Sequence, residues 1–335
     1  MIPHEVTSGT LLASRGSEVL SMELPGGRAE SLGRLPVGPR ERWLGRVRPA
    51  ARLLRLGCSN VRRTASGALL AVADRALFRR EGAGGAFVRV GGVGRGSRPL
   101  HRGLCITRGG RILVGEYFDN PERGPVHLFA SDDDGRSFGV AYSFPAGAIR
   151  HIHGVQEDPY TGRIWIQAGD EGLEPGLYRS DAALSRVERA GGGEQLWRSV
   201  SLQFTPEAIL WGTDSPDEPS RIVRWSRNGG RPESVQPVGG PVYYSARTES
   251  GLTIFATTVE TGSPHASPIA EIWAGGPEGR FEKIAGMPKD RWHPVLFQHG
   301  VVFFPDGVLP GSLLIFSATA LRPWEGMMVI AEIEA

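Results

Sequence analysis

The chain has 335 residues and a formal net charge of +2, with 40% hydrophobic and 22% charged residues, 47 Gly and 25 Pro. Charge this balanced excludes a general nucleic-acid binder. No apolar run is long enough to span a bilayer, since VVFFPDGVLPGSLLIF is broken by Pro305, Asp306 and Pro310. Two cysteines, Cys58 and Cys105, give neither a disulfide framework nor metal-ligand spacing. The opening MIPHEVTSGTLLASRG lacks a basic region followed by an apolar core, so no signal peptide is read and a cytoplasmic location is expected. Abundant Gly and Pro, with no long helical period, predict one all-β domain over 1–335, made of short strands and turns.

In chain order, the same hairpin recurs. It is read at 20–35, 77–90, 126–144, 177–187, 222–235, 272–284 and 314–330. The clearest copy is VHLFASDDDGRSFGVAYSF, two runs of strand formers around a turn rich in Asp and Gly. Anchors at Glu81, Ser131, Ser180, Ser226 and Ala274 recur at steps of 46 to 50 residues. Such a period marks a repeat fold, and seven copies use up the chain. Each hairpin is preceded by another strand pair, as in HIHGVQEDPYTGRIWIQAG; the same shape is read at 104–115, 200–212, 242–256 and 295–304. The expected fold is therefore a β-propeller of seven four-stranded antiparallel blades, six being the alternative, closed by pairing of the first blade with the last. No helix of note is expected, and residues 40–51 read as a loose connection.

In such a ring, the starts of first strands and the ends of second strands share one face around the channel. Asn60, Arg102, His153, Arg198 and Tyr244 begin first strands, with His101, His151, Tyr243 and Gln298 nearby; Asp74, Glu116, Asp170 and Asp214 end second strands. Ionisable groups converging on a depression are where function is sought first. His151 and His153 lie two apart on a strand and so point the same way. Paired arginines suit a planar carboxylate, and His or Tyr suits proton transfer. The expected roles are His153, His151 and Tyr244 in catalysis, and Arg102, Arg198, Asn60, Glu116, Asp170 and Asp214 in substrate binding. The turn acids Asp132, Asp133 and Asp134 fall on the opposite face and are read as structural.

The pattern Ser131-x-Asp133-x-Gly135-x-Ser137-Phe138, with the regular blades and the Arg/Tyr/acid channel, resembles the Asp-box (BNR-repeat) propellers of the sialidase superfamily. RHIHGVQEDPYTGRIWIQAGD and LQFTPEAILWGTDSP are similar to bacterial sialidase-like propeller proteins. The early Arg-Ile-Pro motif of true sialidases is missing, and seven blades with channel histidines look more like propeller-type polysaccharide lyases. That resemblance implies a carbohydrate-active enzyme that cleaves an acidic, uronate-type oligosaccharide or polysaccharide by β-elimination. The alternatives are a sialidase-like glycosidase and a non-catalytic glycan- or protein-binding propeller. No cofactor is expected, nor a nucleic-acid or membrane partner. Some such lyases bind a divalent metal through histidines; here His151 and His153 offer two ligands and no third is evident from sequence.

Overall fold

The computed structural model describes residues 1–82, 84–92, 94, 99–260, 265 and 267–333. Ala83, in the turn of the second hairpin, and the neighbours of His265 in SPHASP lie outside the described residues; His265 itself is exposed.

Seven sheets follow one another along the chain as the blades of a propeller, their strands antiparallel and in sequence order except for one short parallel strand added to blade 6. Blade 1 uses Ile2–Thr7 to Glu30–Arg34, blade 2 Asn60–Arg63 to Val88–Gly92, and blade 3 Leu104–Ile106 to Gly139–Phe144. Blade 4 runs from Ile152–Glu157 to Glu188–Gly192, blade 5 from Leu202–Phe204 to Glu233–Pro237, and blade 6 from Val242–Thr248 to Phe281–Pro288. Blade 7 holds three strands among the described residues, Val301–Phe303, Leu313–Thr319 and Met328–Glu332.

The middle strands explain why the ring packs. In Ile112–Gly115, Ile112 joins an apolar cluster shared with blade 2, while Leu113 joins one shared with blade 4. Alternate side chains leave a strand on opposite faces, so a blade sandwiched between two others is apolar on both. Each such side chain contributes about 1.5–3 kcal/mol by leaving water. Phe138, just after the Asp-rich turn, packs into the cluster between blades 2 and 3.

Three regions depart from expectation. Residues 40–51 are not a loose connection: Pro39–Leu44 and Arg48–Leu53 are short helices, each with Pro in its first turn. Proline is tolerated there because the first N–H groups have no partner in the helix. The stretch 295–304 is not a strand pair but a helical turn, Pro294–Phe297, followed by the strand Val301–Phe303. Beyond it, Val308–Leu309 leaves blade 7 to pair in parallel with the first strand of blade 6. Ring closure is by pairing of the first blade with the chain of the last, as expected, through a short parallel bridge between Glu5 and Asp306. Blades 1 and 7 share no strand; Val6 N donates to Asp306 O and Asp306 N to His4 O, both at 2.8 Å.

The Asp-rich turn is organised by its own side chains. Asp133 accepts from the backbone N–H groups of Arg136 (3.0 Å) and Ser137 (2.9 Å) and from the Ser137 hydroxyl (2.6 Å). Gly135 has φ +83°, and a Cβ there would stand 3.2 Å from Ile112 Cδ1. Asp134 reaches the next blade, 2.6 Å from Arg79 Nη2. Burial pushes the Asp134 carboxyl up, but hydrogen bonds from Ser66 and Arg79 outweigh it and hold it at about 2 against an ordinary 3.8. A depressed folded-state value stabilises above the unfolded value and is lost as pH falls through the folded one. Denaturant melts of wild type should therefore lose stability between about pH 4 and pH 2, and Asp134→Asn should lose less over that window; an equal loss in both would remove Asp134 from the account. Among the described residues, no helix is long and apolar enough to cross a membrane.

Candidate functional site

In each blade, the loop between second and third strands and the connection to the next blade lie on one face. The Asp-rich turn lies on the other. Three such loops and two connections carry the candidate site, on blades 3, 4 and 5.

The first strand of blade 4 is set in place by a close approach. A Cβ on Gly115 would lie 2.6 Å from Ile152 Cγ2, so only glycine lets Ile152 dock; Gly212 and Val242 repeat this two junctions further on. His151 and His153 flank Ile152. Pairing shifts between Ile152 and Gly154, which makes His153 the extra residue of a β-bulge. The two rings come together, with centroids 4.9 Å apart. Their Nε2 atoms lie 3.1 Å apart. Nδ1 of His151 faces Phe118 O and Nδ1 of His153 faces Ser199 O, each at 3.1 Å.

Asp170 closes the cluster. Its two carboxylate oxygens lie 3.1 Å from His151 Nε2 and 3.0 Å from His153 Nε2. Arg198 Nη2 stands 3.0 Å from Asp170, and Arg198 Nε 3.4 Å from Asp214. Arg150 Nε is 3.9 Å from Asp170, and its Nη2 binds Asp119 at 2.7 Å. The Tyr117 ring sits over His151, with centroids 4.1 Å apart. The arginines are the more open groups, Arg150 with 29% and Arg198 with 16% of the side chain exposed, against 10% for His151 and 3% for His153.

The electrostatics follow from this crowding. Burial pushes the Asp170 carboxyl up, but its close contacts with His151 and His153 reverse that and hold it far below the usual range. Burial pushes Asp214 up to about 7, despite the opposing charge of Arg198. It raises Glu260 as well, and pushes the Tyr117 hydroxyl up to about 12. His151, His153 and Asp170 each offer a ligand atom, all within 4.8 Å of one another.

Of the residues expected from sequence, His151, His153, Asp170, Arg198 and Asp214 are gathered here. Arg102 is not. Its guanidinium is buried in the channel, bound to Asp306, to Ser245 O (2.7 Å) and to Pro305 O (3.2 Å). Arg62 Nη2 binds the same Asp306 at 3.3 Å. The two arginines pictured as one clamp thus serve different places. Asn60 is fully buried and spends its amide on Leu100 O and His101 O. Tyr244 is buried in the apolar cluster of blades 6, 7 and 1, against His101 and Phe303. Asp74 is an exposed turn residue with φ 46°.

Glu116 was aligned one residue off. Tyr117, Asp170 and Asp214 each stand two places beyond the end of a second strand, at Gly115, Ala168 and Gly212. Glu116 stands one place beyond, where its carboxylate turns away to accept His127 N at 2.9 Å. A slip of one position reverses side-chain direction in extended chain. Counting from the strand end would have found Tyr117. Arg150 is the neighbour of His151, and Glu260 carried no signal of its own.

No protein-family model and no curated protein matches the chain. Solved structures do. A chain of a mitotic checkpoint complex is 12% identical with a TM-score of 0.60, covering 100% of this chain and 89% of that one. A nidogen/laminin complex gives 12%, 0.52, 83% and 93%. A GH74 xyloglucanase from Xanthomonas campestris gives 17% and 0.54 over 83% of this chain, which spans only 45% of that enzyme. At these identities the likeness is one of architecture, and the chain is a seven-bladed β-propeller.

Proposed function

We propose that the protein is a carbohydrate-active enzyme that cleaves an acidic, uronate-type glycan by β-elimination. The observation that supports this best is the grouping of two partly open arginines, two histidines, a tyrosine and an acid at one mouth of the ring. Arg150 and Arg198 flank the place where a sugar carboxylate would sit, as forked donors suit a planar anion. By binding that carboxylate, Arg150 and Arg198 would draw charge out of it and so acidify the neighbouring C–H. For proton transfer, Asp214, pushed up to about 7, takes the α-proton in its ionised form, and Tyr117, its hydroxyl pushed up to about 12, gives its proton to the leaving oxygen. Tyr117 takes the part expected of Tyr244, because it is the tyrosine whose ring meets His151. The fold is one that a xyloglucanase also uses.

Uronate-containing polymers and oligosaccharides are the substrates to screen. Elimination leaves a conjugated double bond, so near-ultraviolet absorbance should rise with turnover. Reducing ends appearing without that absorbance would instead mark a glycosidase. Saturable glycan binding with no product of either kind would reject the catalytic reading in favour of a binding propeller.

A further inference from the structure

Each imidazole of the pair has one nitrogen already committed. Nδ1 of His151 and Nδ1 of His153 both face carbonyl oxygens, of Phe118 and Ser199. A carbonyl only accepts, so both Nδ1 atoms carry hydrogen. In neutral rings that leaves both Nε2 atoms as bare lone pairs. The lone pairs stand 3.1 Å from each other, and 3.1 and 3.0 Å from the oxygens of Asp170. Acceptor atoms this close, in a site this buried, repel unless something positive lies among them. A proton joins two of them at a time; a metal ion joins them all.

The spacing fits an ion. With ligand bonds of about 2.1 Å at right angles, donor atoms stand about 3.0 Å apart. Histidine ligands are characteristically oriented by an Nδ1–H to a backbone carbonyl, as both are here. Two imidazoles and one carboxylate suit a first-row divalent cation rather than magnesium or calcium, which prefer oxygen.

We infer that His151, His153 and Asp170 form a binding site for one first-row divalent cation, with Asp170 the third ligand that the sequence left unseen. The three donors occupy one side of the ion and leave positions open toward the mouth. The inference deepens the proposed function, since an ion there would receive the uronate carboxylate, yet its binding can be read with no glycan present.

The full chain, stripped by chelator, should be titrated with Co²⁺ as the probe and followed by absorbance and thermal melting. One ion per chain is expected, with the intensified visible bands of nitrogen-ligated cobalt and a raised melting temperature. His153→Ala and Asp170→Asn should each weaken binding about 100-fold or more, while His127→Ala on the blade 3 hairpin leaves it unchanged. A wild-type spectrum identical to that of hydrated Co²⁺ overturns the proposal, and this holds even if a variant fails to fold. Undiminished binding by folded His153→Ala overturns it too. Cation binding without uronate turnover would sink the glycan reading and leave the metal site standing.

Discussion

Asp158→Ala is expected to cost about 3–5 kcal/mol of folding stability, the range for removing one partner of a buried ion pair. Asp158 is fully buried at the turn between the first two strands of blade 4. Its carboxylate accepts from Tyr160 N (3.0 Å) and Thr161 Oγ1 (2.7 Å), which hold that turn. It also takes both ends of the Arg227 guanidinium, at 2.6 and 3.0 Å, from the outer hairpin of blade 5. Arg227 further donates to Thr205 O at 2.7 Å, and Arg247 of blade 6 reaches the Tyr160 hydroxyl at 2.7 Å. One acid therefore anchors a clip across three blades. Its loss leaves a mostly buried guanidinium with no counter-charge. The clip lies on the face away from the histidines, so the folded variant should keep its Co²⁺ affinity. Denaturant melts check the first point, and a cost below about 1 kcal/mol, the scale of an exposed pair, would refute it.

His153→Ala is expected to lower turnover on the acidic glycan by about 100-fold or more, the scale for disrupting a ligand cluster rather than an acid–base group. His153 is joined to His151 and Asp170, so its removal empties the middle of the cluster. Tyr244→Phe separates this from a loss of packing. Burial pushes the Tyr244 hydroxyl up, and the ring sits between His101 and Phe303, away from the paired histidines. Removing that hydroxyl should leave turnover within a few-fold and cost about 1 kcal/mol of stability, one hydrogen bond's worth. Comparable losses of turnover in both variants would return Tyr244 to the catalytic role read from sequence.

The blades were legible because every interior blade solves the same packing problem. The steps between Glu81, Ser131, Ser180, Ser226 and Ala274 record that sameness. The stretch before blade 7 breaks the pattern for a physical reason. Residues 304–309 are held by neighbours, Asp306 by blade 1 and Val308 by blade 6, and so need not look like half of a hairpin. The short helices at 39–53 are too brief to show an apolar period.

Within the site, Asp170, Arg198 and the histidines were legible because charged residues at strand ends stand out against apolar strands. Arg102 looks the same in sequence, and only the fold reveals that Asp306, some two hundred positions later, is its partner. Glu116 and Tyr117 could not be told apart without knowing that the strand stops at Gly115. The bulge at His153 left no mark in the sequence.

The meeting of Val6 with Asp306 carries a further meaning. A wheel whose first and last segments exchange a strand is latched by a whole ladder; this one is fastened by a few main-chain bonds and by the N-terminal amine on Gly326 O, at 2.8 Å. The same seam shares the apolar cluster of blades 6, 7 and 1, and it lies across the wheel from the junction of blades 4 and 5, so a change made at the seam should leave the histidine centre assembled.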